Sequence, residues 1–131
     1  METPREFVER YRSTWEQVMN GGSGIASMTG FFNVPCLMIG AEGAIAQYST
    51  PESIQSFNQS RLEAFNAGGA TKARLRGCDV TTLGSHCTLA VVNWELCRAD
   101  GSIERAWRHY YNLLRGQDGW RIVLSAFHVG S

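Results

Sequence analysis

The stretch ATKARLRGCDVTTLGSHCTLAVVNWELCRADGSIERAWRHYYNLLRGQDGWRIVLSAFHVGS, residues 70–131, decides the fold. Its runs of β-branched and aromatic residues are punctuated by turn signals at Leu83-Gly84-Ser85-His86, Ala99-Asp100-Gly101-Ser102 and Gly116-Gln117-Asp118-Gly119. The pattern predicts strands over Thr71–Leu83, His86–Arg98, Ile103–Arg115 and Trp120–Val129, a long antiparallel meander.

Each turn implies a register, and register decides which side chains share a face. A two-residue turn at Gly84-Ser85 sets Leu83 against His86, Asp79 against Ala90, Gly77 against Val92 and Leu75 against Trp94. The Asp100-Gly101 turn sets Trp94 against Trp107 and Val92 against His109, and a four-residue turn at 116–119 sets Arg115 against Trp120, Tyr111 against Leu124 and Trp107 against His128. A bulge in any strand shifts the count by one. One face then carries Leu75, Gly77, Asp79, Val92, Trp94, Trp107, His109, Tyr111, Leu113, Ile122, Leu124 and His128. The other carries Arg74, Arg76, Val80, Asn93, Glu95, Arg108, Tyr110, Asn112, Arg121, Val123 and Phe127 and is far more polar, with Glu95 in reach of Arg74 and Arg108. The first face is expected to meet the helices, the second solvent or a partner subunit.

Upstream, Thr3-Pro4-Arg5-Glu6 is a capping box with proline at the first helical position, and Phe7, Val8, Tyr11, Trp15, Val18 and Met19 follow at helical spacing. A helix from about Pro4 to Met19 is expected, stopped by Asn20-Gly21-Gly22. Ser23 to Thr29 reads as a short second helix, and Val34–Ile39 with Ala44–Tyr48 as a hairpin. Thr50-Pro51 opens a third helix whose stripe of Ile54, Phe57, Leu62 and Phe65 runs to Gly68-Gly69. Helices and one hairpin followed by a meander make an α+β domain, not an alternating β-α-β one.

The 131 residues fit one domain, 1–131, with zero formal charge from 12 basic and 12 acidic residues. That balance leaves no broad footprint for nucleic acid or an acidic membrane. Apolar runs end well short of the roughly 20 residues that a membrane span needs, and the start reads as a charged helix and not a signal peptide, so a cytoplasmic protein is expected. Cys36, Cys78, Cys87 and Cys97 show no CxxC spacing and read as buried thiols, with neither a zinc nor a redox motif.

No catalytic motif is legible, so chemistry rests on which groups the inner face gathers. His109 and His128 on neighbouring strands are candidate general acid and base, with Asp79 as orienter. The same three have metal-ligand chemistry but no binding-motif spacing, and neither metal nor other cofactor is expected. Tyr11, Trp15, Trp94, Trp107 and Tyr111 form either an aromatic box for a flat ligand or plain core.

Three segments carry a resemblance: VPCLMIG (34–40), TPESIQSF (50–57) and VVNWELCRADGSIERAWRHYYNLLRGQDGWRIVLSAFHVGS (91–131), with DGWRIVLSAFH (118–128) as the best marker. On these the chain resembles the nuclear transport factor 2-like superfamily, in particular its SnoaL-like and ketosteroid-isomerase-like small bacterial members, over nearly its whole length. The resemblance implies a cone-shaped, curved mixed or antiparallel sheet wrapped around the N-terminal helices, a partly open cavity and a homodimer. It implies isomerase, cyclase, dehydratase or hydrolase activity, or a non-enzymatic binding or assembly role. Ketosteroid isomerases use a carboxylate base and a tyrosine-containing oxyanion hole. Tyr11 resembles the phenol donor, whereas VPCLMIG has no acid where the base would lie. The reading is thus a small apolar or aromatic metabolite in a cavity, with or without acid-base chemistry; the alternative is an interaction domain with a filled cavity.

Overall fold

A computed structural model describes residues 1–128. Helix α1 (Pro4–Met19) is followed by a 3₁₀ segment (Ile25–Phe31), strands β1 (Phe32–Ile39) and β2 (Ile45–Tyr48), helix α2 (Pro51–Ala67), and strands β3 (Ala70–Leu83), β4 (Cys87–Arg98), β5 (Ile103–Gly116) and β6 (Gly119–Phe127). Both helices start where a threonine side chain can satisfy first-turn donors. Thr3 Oγ1 accepts from Glu6 N–H at 3.1 Å while Glu6 accepts from Thr3 N–H at 2.8 Å, and Thr50 Oγ1 accepts from Ser53 N–H at 3.1 Å. The short helix expected over Ser23–Thr29 is a 3₁₀ segment that runs on to Phe31, because Gly30 keeps a negative φ and does not break it. The predicted end of the last strand, Val129, lies outside the described residues.

The six strands form one curved, unclosed sheet in the order β2-β1-β6-β5-β4-β3. All neighbours run antiparallel except β1 and β6, so the sheet is mixed. The predicted hairpin is present, with Cys36 opposite Tyr48 and Ile39 opposite Ile45. Helix α1 buries Phe7, Val8, Tyr11, Trp15, Val18 and Met19, the stripe its spacing predicts, and packs on β3. Helix α2 leans on the 3₁₀ segment, burying Ile54, Asn58 and Phe65.

Two local irregularities in the meander turn side chains over. The β3–β4 turn takes three residues, Gly84-Ser85-His86, so Leu83 opposes Cys87 instead of His86; Gly84 has φ +77°, where glycine is unhindered. A register shift between Leu75 and Gly77 absorbs the extra residue, which leaves the expected Leu75–Trp94 pair intact but sets Cys78, not Gly77, opposite Val92. The expected Trp94–Trp107 and Val92–His109 pairs hold, as does Arg115–Trp120. A second shift between Asn112 and Leu113 then moves β6 by one, so Tyr111 opposes Ser125 and His109 opposes Phe127.

Candidate functional site

The inner face of the sheet at β5 and β6, together with α2, frames an open cleft of about 360 Å³ lined by Phe57, Arg61, Phe65, Trp107 and Phe127 among others. Phe57, Arg61 and Phe65 recur every four residues, which puts them on one face of α2. A second hollow of about 170 Å³ shares Phe57, Arg61 and Phe127 and ends at His109 and Ser125, between the β1–β2 hairpin and β6. Behind both, Tyr11, Trp15, Trp94 and Tyr111 enclose only about 10 Å³ around Arg61 and Trp107.

Of the five predicted aromatic residues, Trp107 therefore lines the open cleft and the other four close its back. Tyr11 meets Trp94 and Tyr111 edge-on, with centroids at 6.0 and 5.7 Å, and the Trp94 indole N–H donates to Tyr111 Oη at 2.9 Å. Burial raises both phenols above their ordinary range, so they stay neutral. Tyr11 Oη has no hydrogen-bond partner among the described residues.

His109 is 1 % exposed at the end of the second hollow. The Trp107 indole N–H donates to its Nδ1 at 3.2 Å, and its Nε2 lies 2.7 Å from Ser125 Oγ. An indole nitrogen only donates, so Nδ1 must accept and the proton resides on Nε2, which donates to Ser125. Protonation would set two N–H groups against each other. Burial, and then the positive charge of Arg61, depress the imidazole pKa to about 2. His109 is a neutral hydrogen-bonding group whose partner, Ser125, keeps its own hydroxyl hydrogen free to donate.

The predicted triad is not assembled. The three-residue turn and the shift at Leu75/Gly77 put Asp79 opposite Val91 on the outer face, where it is exposed, and bring Cys78 inward instead. The shift at Asn112/Leu113 does the same on β6: Phe127 turns in beside His109, with centroids at 4.8 Å, and Leu124 turns out. His128 is exposed on the outer side, its N–H bonded to Arg108 C=O at 2.9 Å and its ring edge-on to Tyr110. The outer polar ladder expected around Glu95 exists: Arg74 and Arg76 lie 3.7 and 3.8 Å from its carboxylate, while Arg108 turns to Asn93 at 3.2 Å. Among the described residues no group of three or more His, Cys, Asp or Glu is placed to hold a metal ion. Arg61 and Ser125 were not legible as site residues from turn counting, but the four-residue spacing of Phe57, Arg61 and Phe65 does place a cation in an apolar stripe.

Over residues 2–129 the sequence matches the family described as NTF2-like protein (DUF6841). The chain belongs to this NTF2-like family. No curated protein matches it in sequence. Among solved structures, a protein of unknown function with a cystatin-like fold from Nostoc punctiforme superposes with a TM-score of 0.73 at 12 % identity, covering 97 % of this chain and 93 % of that one. An NTF2-like protein with a cystatin-like fold from Novosphingobium aromaticivorans gives 0.71 at 18 % identity, covering 94 % and 77 %. Aln2 from a Streptomyces species gives 0.67 at 16 %, covering 98 % and 93 %. At these identities the likeness establishes the NTF2-like, cystatin-like α+β fold alone. No helix among the described residues is long and apolar enough to cross a membrane.

Proposed function

We propose that this chain binds a small, mainly apolar or aromatic molecule in the cleft between α2 and the inner face of β5 and β6. The observation that supports this reading is the open cleft itself. Its volume of about 360 Å³ falls within the roughly 300–1,000 Å³ typical of small-molecule sites, and Phe57, Phe65, Trp107 and Phe127 give it aromatic walls. An interaction domain with a filled cavity would need those walls to close on one another, as Tyr11, Trp15, Trp94 and Tyr111 do behind them. In this reading His109 orients Ser125 and does not transfer protons, since its imidazole is too weak a base near neutral pH. No acid-base step is assigned to His128 or Asp79, which face away from the cleft.

The test uses N-phenyl-1-naphthylamine, a neutral apolar dye whose emission rises in a dry pocket. Wild type is expected to bind it, and Ala64→Trp, which plants an indole in the cleft mouth from α2, to weaken binding at least tenfold with an unchanged melting temperature. Equal binding by the two proteins overturns the reading.

The assembly we propose is a homodimer through the outer sheet face, where Leu37 and Leu114 are exposed. A monomeric mass by sedimentation at micromolar concentration overturns it.

A further inference from the structure

We infer that the cleft selects an anion: its ligand is an organic carboxylate whose charged end meets Arg61 while its apolar or aromatic body lies along Phe65, Trp107 and Phe127. The inference rests on the binding reading above and adds the ligand's charge. Arg61 is half-buried and lines the open cleft, the hollow at Ser125 and the slit at Tyr11, so every part of the cavity meets this side chain. Among the described residues no carboxylate lies within salt-bridge distance of it and no acceptor bonds it. Its neighbours are rings: Phe57 at 5.5 Å, Phe65 at 5.7 Å and Trp15 at 5.9 Å from the guanidinium carbon. Cation–π contacts stabilise such a group by only about 0.5–2 kcal/mol and leave its N–H donors unused.

The other polar groups of the cavity do not cancel that charge. His109 and the phenols of Tyr11 and Tyr111 are neutral, and the second arginine of the cleft, Arg105, is already paired with Glu104 at 2.5 Å. The remaining donor points to the same ligand chemistry. Ser125, which lines the hollow that Arg61 shares, accepts from His109 and has a hydrogen to give. A guanidinium fork matches a carboxylate in shape. A phosphate, with a second charge and more acceptors, would find one unpaired cation and too few donors between aromatic walls.

The experiment compares aryl and arylalkyl carboxylates with their amides, 2-naphthoate against 2-naphthamide first, by calorimetry on wild type, Arg61→Met and Arg61→Lys. Wild type is expected to bind the acid at least tenfold tighter than the amide. Arg61→Met, which keeps the aliphatic stem, should lose that preference, its affinity for the acid falling to that for the amide, and Arg61→Lys should retain part of it. Equal affinities for acid and amide in wild type overturn this inference and leave the cleft reading standing; failure of dye, acid and amide alike overturns both. A ligand-free readout is independent of the probes. Arg61→Met forgoes only the ring contacts of the guanidinium, so its melting temperature should stay within a few degrees of wild type, and a larger fall would mean that the guanidinium is hydrogen-bonded within the protein and would overturn the inference.

Discussion

The Trp107 indole donates to His109 Nδ1 at 3.2 Å, and this two-residue relationship along β5 fixes the imidazole as the neutral Nε2–H tautomer. A stability effect follows from it. The folded-state pKa is depressed to about 2, against about 6.5 unfolded, so between those values the unfolded chain holds a proton that the folded one refuses. Stability is thus full above pH 6.5 and falls as the pH drops, by up to about 1.4 kcal/mol per unit. Denaturant unfolding at pH 7.0 and 5.5, above most carboxylate titration, should show a loss near 1.4 kcal/mol in wild type. His109→Gln, which can still accept from Trp107 and donate to Ser125, should lose much less; equal losses would mean that His109 is not the group responsible.

The sequence carried the inner face of β4 and β5 because their connecting turn gave the right register through Val92–His109 and Trp94–Trp107. It could not carry Asp79 or His128. A third turn residue at His86 and a shift near Arg76 reverse β3 between Gly77 and Leu83, and a shift beside Leu113 reverses β6 beyond Ile122. Such irregularities cost little in chain propensity and have no residue signature here, yet each exchanges the two faces of everything beyond it. Arg61 is the opposite case. Its place four residues from Phe57 and from Phe65 was legible, but an arginine on an amphipathic helix is ordinarily solvated, and only the bend of the sheet over α2 brings it over the cleft.

Tyr11 and Tyr111 are both almost fully buried and their rings touch, but their hydroxyls differ. Tyr111 Oη accepts the Trp94 indole N–H, so Tyr111→Phe strands a buried donor at a cost of about 1–3 kcal/mol. Tyr11→Phe removes a hydroxyl with no partner and should be neutral or mildly stabilising. Thermal unfolding of the two variants decides it: Tyr111→Phe should melt several degrees lower and Tyr11→Phe should not. A matching drop in both would show that the Tyr11 hydroxyl is bonded.

All four cysteines are free thiols, but they are not equally reactive. Cys36 is 1 % exposed on β1, and burial pushes its thiol up to about 12, which leaves almost no thiolate at pH 8. Iodoacetamide followed by mass mapping should find Cys36 unmodified in the native protein after the half-exposed Cys87 has reacted, and modified at once in 6 M guanidinium. Native labelling of Cys36 at the rate of Cys87 would contradict this placement.

Asn58 is wholly buried on α2 where that helix leans on the 3₁₀ segment, and neither its amide nitrogen nor its oxygen meets a partner among the described residues. An unsatisfied buried polar group costs on the order of 1–3 kcal/mol, and an amide carries two such ends. Leucine has a similar volume and nothing to satisfy, so Asn58→Leu should stabilise the fold by about 1 kcal/mol or more, the desolvation cost outweighing the small change in shape. Asn58→Ala relieves the same polar cost but opens a cavity, and should fall below Asn58→Leu. Urea midpoints for the three proteins, with an unchanged slope, should therefore place Asn58→Leu above wild type and above Asn58→Ala. If Asn58→Leu instead unfolds at a lower midpoint, the amide has a partner in solution and the site is a hydrogen-bonded anchor of α2.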